Sequence, residues 1–261
     1  MATETRHAPG TFCWPELATL DQPGAKKFYT SLFGWSFHDT DMGPDGTYTI
    51  FQDRDADVAA LYTMREEEKK MAPPHWNSYV AVESADQTAA KVKQLGGQVI
   101  VEPFDVMDMG RMAVLMDPQG AVFQVWQAKK HGGARLNDVG SLCWTELMTT
   151  DPQTAETFYT GLFPWKTETM KASTGAPYTI FKRGGEVGVG GMMKIEPRMG
   201  PMPPHWYPYF AVSDCDATVA KATSLGARTL MPPTDIPNAG RFAVLMDPQN
   251  APFAVIKTMP M

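Results

Sequence analysis

Apolar and polar positions in the first part of the chain alternate between the period of a strand and the period of a helix. The stretch 12–19 is apolar and predicts a short strand, which Pro15 restricts to a sheet edge or a bulge. From 25 to 33 apolar residues recur three and four positions apart, which predicts a helix. Asp21 is a suitable N-cap for this helix, and Gly34 is a suitable residue to end it.

The elements that follow are predicted from alternation and from turn residues. The polar stretch from Arg65 to Lys70 predicts a solvated loop, and Gly96-Gly97 ends a second helix at about 86–95. The sequence Asp117-Pro118-Gln119-Gly120 predicts a turn between the last two strands. The other predicted strands cover 47–52, 58–64, 76–82, 98–102, 111–116 and 121–127. We therefore assign this part of the chain to two βαβββ modules.

The same pattern returns 130 residues later. Residues 12–127 and 142–257 align without a gap and share 45 identities in 116 pairs, which indicates a tandem duplication. The matched segments include Cys13–Leu17 with Cys143–Leu147, Phe28–Trp35 with Phe158–Trp165, Tyr48–Phe51 with Tyr178–Phe181, and Pro73–Trp76 with Pro203–Trp206. We predict two domains, 8–129 and 138–258, joined through the linker Lys129–Gly133, and four modules in all.

The composition and charge of the chain limit the binding partners and the cellular compartment that we expect. The chain has 261 residues and a net charge of -6, which disfavours a broad nucleic-acid surface. No apolar run approaches the ~20 residues of a membrane span, and the first residues lack an apolar signal core. Three cysteines without a CxxC motif favour a reducing compartment. We expect a cytoplasmic monomer or homodimer that binds a small molecule and neither nucleic acid nor membrane.

The repeated motifs resemble a known superfamily. They are an Asp-x6-Phe-Tyr-x2-Leu-Phe-x-Trp run at 21–35 and 151–165, the Asp-Pro-Gln turn before the last strand, and Gly-Arg at 110–111 and 240–241. Together they are similar to the vicinal oxygen chelate superfamily of glyoxalase I, extradiol dioxygenases, and fosfomycin- and bleomycin-resistance proteins. The resemblance implies an α+β fold of tandem glyoxalase-like domains. In each domain, two βαβββ modules would form a cup of curved mixed sheet.

The double-length form is more narrowly similar to a bacterial two-domain subgroup, to which a mycobacterial glyoxalase-like antigen belongs. The motifs that carry this likeness are Trp-x-Glu at 14–16 and 144–146 and Pro-Pro-His-Trp at 73–76 and 203–206.

The superfamily's metal ligands do not carry over to this chain. The resemblance implies His, Gln or Glu on the first strand of a domain, His on the fifth and Glu on the eighth. The corresponding residues are Trp14, Asn77 and Gln124 in the first copy, and Trp144, Tyr207 and Ala254 in the second. Because neither copy keeps the ligand pattern, we expect no cofactor, although a divalent metal at a displaced site stays open.

The residues that would face the cup are aromatic with a few polar groups, a composition typical of small-molecule pockets. As ligand-binding candidates we name Trp14, Asn77, Tyr79, Gln124 and Trp126 in the first copy, and Trp144, Tyr207 and Tyr209 in the second. A carboxylate among aromatic rings suits a flat, partly polar or cationic ligand. The alternative is that these rings fill the cup as core.

Three functions are consistent with these residues. The missing metal ligands favour a metal-independent binding protein of the glyoxalase/bleomycin-resistance type that holds a small aromatic or partly polar ligand. The first alternative is a metal-dependent glyoxalase-like lyase or extradiol-type dioxygenase. The second alternative is a metal-free enzyme with Glu/His acid–base chemistry, for which the candidates are Glu16, Glu146, His75 and His205. Whether the chain is an enzyme stays open at this point.

Overall fold

The computed structural model describes residues 6–172 and 175–259, and each sequence copy folds as two βαβββ modules. The elements of the first copy are β1 (Phe12–Thr19), α1 (Gln22–Phe33), β2 (Ser36–Asp41), β3 (Thr47–Asp53), β4 (Ala56–Thr63), α2 (Glu66–Met71), β5 (His75–Ala81), α3 (Ala85–Gln94), β6 (Gln98–Val106), β7 (Gly110–Met116) and β8 (Val122–Ala128). Those of the second copy are β9 (Leu142–Thr149), α4 (Pro152–Leu162), β10 (Trp165–Lys171), β11 (Pro177–Arg183), β12 (Val187–Lys194), β13 (His205–Ala211), α5 (Cys215–Ser224), β14 (Arg228–Ile236), β15 (Gly240–Met246) and β16 (Pro252–Thr258).

The described strands form two mixed sheets of eight. Their orders are β2-β3-β4-β1-β5-β8-β7-β6 and β10-β11-β12-β9-β13-β16-β15-β14. Within each module the first strand pairs in parallel with the last, as β1 does with β4 and β5 with β8, and the hairpins pair antiparallel. The predicted α+β class with two βαβββ modules in each copy is confirmed.

Two compact units divide the chain, and they do not follow the two copies. The first contains the described parts of Met1–Cys13, Ser78–Gly133 and Trp144–Trp206. The second contains Trp14–Asn77, Ala134–Cys143 and the described part of Tyr207–Met261. Each unit therefore combines one module from each copy, whereas the domain boundaries 8–129 and 138–258 stay a prediction from the repeat.

In the first unit, the Phe-Tyr motif of α4 is buried against the turn that contains Asp117. The Tyr159 hydroxyl donates to Asp117 Oδ2 at 3.1 Å and accepts from Trp206 Nε1 at 2.8 Å. The other oxygen of Asp117 accepts from the backbone N–H groups of Gln119 and Ala121, each within 2.9 Å. The turn motif thus fixes a buried carboxylate that holds α4 in place.

The second unit repeats this arrangement on α1. Tyr29 is fully buried and donates to Asp247 Oδ2 at 2.9 Å, and Trp76 Nε1 donates to the Tyr29 hydroxyl at 3.1 Å. Around it lies a continuous apolar core that includes Phe28 and Phe253. The helix begins and ends as predicted, because Asp21 accepts from the Gly24 N–H and Gly34 is left-handed at φ 77°.

The structure corrects the sequence predictions at three points. The predicted loop Arg65–Lys70 is helical from Glu66 onward, as part of α2, and Ser36–Asp41, for which no strand was predicted, forms β2. The copies also differ in one hairpin: two residues join β3 to β4, and three join β11 to β12. As a result Glu16 pairs with Ala60, whereas Glu146 pairs with Gly191, so the constant offset of 130 breaks in this segment.

Over the described ranges, no helix is both long and apolar enough to cross a bilayer.

Candidate functional site

The first-copy candidates on β1 belong to a hydrogen-bonded cluster inside the second unit. Trp14 and Glu16 lie two apart on the strand and therefore share a face. Trp14 Nε1 donates to the Tyr48 hydroxyl at 3.1 Å, and that hydroxyl donates to Glu16 Oε1 at 2.7 Å. Asn77 Nδ2 lies 3.4 Å from the other oxygen, Glu16 Oε2. Both oxygens of this carboxylate, which is 7 % exposed, accept from neutral groups.

Burial and the neighbouring carboxylates raise the pKa values of the two phenols in this cluster. The pKa of Tyr48 is raised well above its ordinary value, first by burial of the hydroxyl and then by the charge of Glu16. The pKa of Tyr62 is raised for the same two reasons, with Glu68 contributing as well. Both phenols therefore stay protonated at neutral pH and act as hydrogen-bond donors.

The second copy builds a similar cluster in the first unit. Trp144 Nε1 donates to the Tyr178 hydroxyl at 2.9 Å, and Tyr178 bonds Glu146, whose charge adds to burial in raising the pKa of the phenol. The backbone of Gly191 lies against this phenol, because a Cβ built at Gly191 would fall 1.8 Å from the Tyr178 hydroxyl. Glu146 is 4 % exposed, so this carboxylate is buried as deeply as its counterpart.

Three predicted ligand residues of the first copy lie in the first unit, on β5 and β8. Tyr79 pairs in register with Gln124, and its ring meets Trp126 edge-on with centroids 6.4 Å apart. Trp126 Nε1 donates to the His131 carbonyl at 2.9 Å, which fixes the indole. All three predicted residues are at most 7 % exposed.

Tyr207 and Tyr209, the matching residues in the second unit, form a stack. Their rings lie 5.5 Å apart at an interplanar angle of 25°, with the hydroxyl groups 3.3 Å apart. Phe242 continues the stack at 6.0 Å from Tyr209.

The two repeated histidines are ordered by the backbone. His75 Nδ1 lies 2.8 Å from the Pro73 carbonyl, and His205 Nδ1 lies 2.8 Å from the Pro203 carbonyl. Burial lowers the pKa of His205, which favours its neutral form. A catalytic role for either ring, with Glu16 or Glu146, stays a prediction.

The residues at the superfamily's metal positions do not fit a metal. The Trp14 indole has no free lone pair and donates its N–H to Tyr48. Asn77 and Gln124 supply only neutral amides, whereas divalent transition metals prefer carboxylate or imidazole ligands. Across 6–172 and 175–259, His, Cys, Asp and Glu side chains form no group of three that could hold a metal.

Sequence reasoning missed the tyrosines that organise these clusters. Tyr48 and Tyr178 were visible as one repeated Tyr-Thr-Ile-Phe segment, but nothing in a strand pattern says which partner a phenol meets. The lining of two surface depressions, one along 194–198 and one beside Pro118 and Phe158, includes none of the predicted site residues.

Family models match both copies. Residues 12–125 match the Glyoxalase/Bleomycin resistance protein/Dioxygenase superfamily, and residues 144–256 match the Glyoxalase-like domain.

Curated relatives match along the whole chain. "Putative glyoxylase CFP32" of Mycobacterium tuberculosis is 44% identical over 262 residues, covering 100% of this chain and 99% of the relative. "Anthracycline biosynthesis protein DnrV" of Streptomyces peucetius is 37% identical, covering 97% of this chain and 95% of the relative. The Mn(II)-bound glyoxalase of Novosphingobium aromaticivorans shares the fold at a TM-score of 0.66 and 16% identity, over 95% of this chain and 82% of its own. With both copies matched and relatives aligned end to end, the chain belongs to the glyoxalase/bleomycin resistance protein/dioxygenase superfamily.

Proposed function

We propose that this protein is a metal-independent small-molecule binding protein of the glyoxalase/bleomycin-resistance type. Its ligand is a flat aromatic molecule with a polar or cationic group. The observation that carries the proposal is the repeated chain of hydrogen bonds from tryptophan to tyrosine to a buried glutamate, through Tyr48 in the first copy and Tyr178 in the second.

A buried carboxylate is an expensive feature for a purely structural sheet face. Desolvating an ionised group costs several kcal/mol unless hydrogen bonds replace its water. In Glu16 such bonds come from the neutral side chains of Tyr48 and Asn77, beside the Trp14 ring. Such a group suits a ligand that stacks on the rings and presents a donor or a positive charge to the carboxylate.

The name of one relative agrees with this ligand class. DnrV is named for anthracycline biosynthesis, and anthracyclines contain a planar fused-ring system. Metal independence is supported by the donor set, because Trp14, Asn77 and Gln124 occupy the superfamily's ligand positions. The expected monomeric or homodimeric state and cytoplasmic location remain predictions.

The test is a fluorescence titration of the full-length protein with two flat probes, the cation 9-aminoacridine and the anion 9-anthracenecarboxylate. The wild type is expected to bind at least one probe. The double variant Glu16→Gln/Glu146→Gln should weaken that binding about tenfold, which corresponds to one charge-assisted contact. Glu186→Gln, a change at an exposed glutamate, is the matched control. No binding by the wild type, or equal binding by the double variant, would contradict the proposal.

Elemental analysis of the same preparation separates the metal-dependent alternative. A stoichiometric divalent metal that EDTA removes, together with probe binding, would refute metal independence and favour the lyase or dioxygenase function. Turnover of a bound compound that Glu16→Gln abolishes would instead favour Glu/His acid–base chemistry.

A further inference from the structure

Strand β12 of the second copy contains three glycines close together, Gly188, Gly190 and Gly191, and none of them has a left-handed φ. Glycine weakens a strand, because it packs no side chain and loses more conformational freedom on folding than other residues. Within a strand it often marks a bulge or the close approach of another group. Packing explains Gly190, where a Cβ would fall 2.8 Å from the Thr145 carbonyl oxygen. The other two glycines have a different neighbour.

Gly188 and Gly191 lie against the indole of Trp144. A Cβ built at Gly188 would fall 3.1 Å from Cζ3 and 3.2 Å from Cη2 of this ring, and one built at Gly191 would fall 3.0 Å from Nε1. Since these atoms belong to the two ends of the indole, the ring lies along the main chain of β12. All three residues belong to Trp144–Trp206 of the first unit.

The first copy does not offer its tryptophan the same bare main chain. The strand registers set the two glycines at the positions that Asp57 and Ala60 hold in β4. Both of these residues carry a Cβ, so the contact of a ring with unsubstituted main chain is not possible there. The difference between the copies is therefore built into β4 and β12.

The indole of Trp144 also has ring surface to offer. It is partly exposed, whereas Trp14 is 5 % exposed. Trp126 and Trp206 each meet a tyrosine ring edge-on, but no ring of a described residue stacks on Trp144 or meets its edge. Because Nε1 already donates to Tyr178, the indole offers carbon surface, which suits stacking rather than a polar contact.

We propose that the second copy holds the ring system of the ligand, with Trp144 as the stacking surface and Gly188 as the residue that positions it. This proposal rests on the proposed function and assigns the aromatic contact to one copy. An indole that already lies against main chain loses little freedom when a flat ring stacks on it, which favours binding. Stacking of this kind does not depend on the charge of the ligand.

The experiment titrates the full-length protein at pH 8 with two probes that share one ring system, the cation 9-aminoacridine and the neutral acridine, and follows probe fluorescence. Trp144→Leu is expected to weaken both probes about fivefold, the effect of losing one stacked ring. Trp144→Phe keeps a ring and should weaken them by no more than about twofold. Phe37→Leu removes a ring that is 45% exposed in the first copy and is the matched control, with both affinities unchanged.

The positioning role of Gly188 is tested with Gly188→Val. Valine favours a strand, so the urea midpoint should not fall. Both probes should still bind about threefold more weakly, because the new side chain displaces the indole. In the Trp144→Leu background the same substitution should cause no further loss, since Gly188 acts through the ring. Gly188 is exposed, so this variant keeps the test decisive even if Trp144→Leu is unstable.

The outcomes separate this proposal from the one on which it rests. If the probes bind wild type and Trp144→Leu equally well, the stacking proposal is wrong and the binding function stands. A larger loss in Trp14→Leu than in Trp144→Leu would place the ring system in the first copy and would also overturn the proposal. A loss in Gly188→Val that persists without the Trp144 ring would refute the positioning role. If the wild type binds neither probe, both proposals fail together.

Discussion

The buried Asp117–Tyr159–Trp206 cluster gives the sharpest prediction, because one hydroxyl serves two partners. Tyr159→Phe removes the donor to Asp117 Oδ2 at 3.1 Å and the acceptor of Trp206 Nε1 at 2.8 Å, with no change in ring packing. A hydrogen bond to a charged group contributes about 1.5–3 kcal/mol, and a buried donor left without its acceptor costs about 1–3 kcal/mol. We expect a loss of about 3–5 kcal/mol in the free energy of unfolding at pH 7.

The loss of unfolding free energy is expected to depend on pH in a definite direction. Burial raises the pKa of Asp117, whereas the Tyr159 hydrogen bond lowers it, so Tyr159→Phe raises that pKa further. A carboxyl whose pKa is raised in the folded state binds protons more tightly there than in the unfolded chain, so its stability contribution falls as pH rises through the folded pKa. Below that pKa Asp117 is neutral in both proteins. The cost of the substitution should therefore shrink as the pH falls from 7 toward 4.

Urea unfolding of wild type and variant across this pH range measures the difference directly. Tyr29→Phe, which acts on the equivalent cluster of the second unit, should behave alike. Thr157→Ala, a change on the exposed face of α4, should stay within about 0.5 kcal/mol. A loss below about 1 kcal/mol at pH 7, or one that does not change with pH, would refute the reasoning.

Three further predictions concern separate contacts. Gly191→Ala should displace Tyr178, because the new Cβ would lie 1.8 Å from its hydroxyl, and the displacement should shift the tryptophan fluorescence emission. The control Gly161→Ala should leave the emission unchanged, because its Cβ meets only a leucine side chain at 3.2 Å. Gln119→Ala removes three hydrogen bonds to the start of α4 and should lower the urea-derived stability by about 1–2 kcal/mol, with unchanged stability as the contrary result. Burial raises the pKa of Cys13 to about 12, so native protein should resist iodoacetamide at pH 8 until urea is added; rapid native labelling would contradict this.

Local signals in the sequence predicted most elements, and the exceptions have physical causes. Ser36–Asp41 is exposed at every residue and forms the end strand of its sheet, so it has no apolar alternation and is held by backbone pairing with β3. Glu66–Met71 has no buried residue, and its helix depends on Glu68, which caps the Arg65 N–H and binds Tyr62. A charge run without an apolar face does not predict such a helix.

The candidate site was predicted one strand at a time. The same-face rule found Trp14 with Glu16, and the fifth-strand position found Asn77. Neither rule found Tyr48, because the contact between β1 and a phenol on β3 depends on the order of the strands and on the length of the side chains. The one-residue change of register between the copies is also hidden by a gapless alignment, which sets Ala60 against Gly190 where the strands set it against Gly191.

By itself the sequence determined the duplication, the βαβββ modules and the loss of the superfamily's metal ligands, since these depend on local pattern and residue identity. Only the tertiary structure decided which modules combine. Gln119 and Gln249 lie in the same Asp-Pro-Gln motif, and Asp21 and Asp151 begin the same helix, so the sequence does not distinguish the pairs. In the structure Gln119 binds Asp151 and Gln249 binds Asp21, each across the two copies. Because the motifs are nearly identical, either turn could bind either helix start as far as local contacts are concerned. Chain connectivity and the packing of the whole unit select the pairing that is observed.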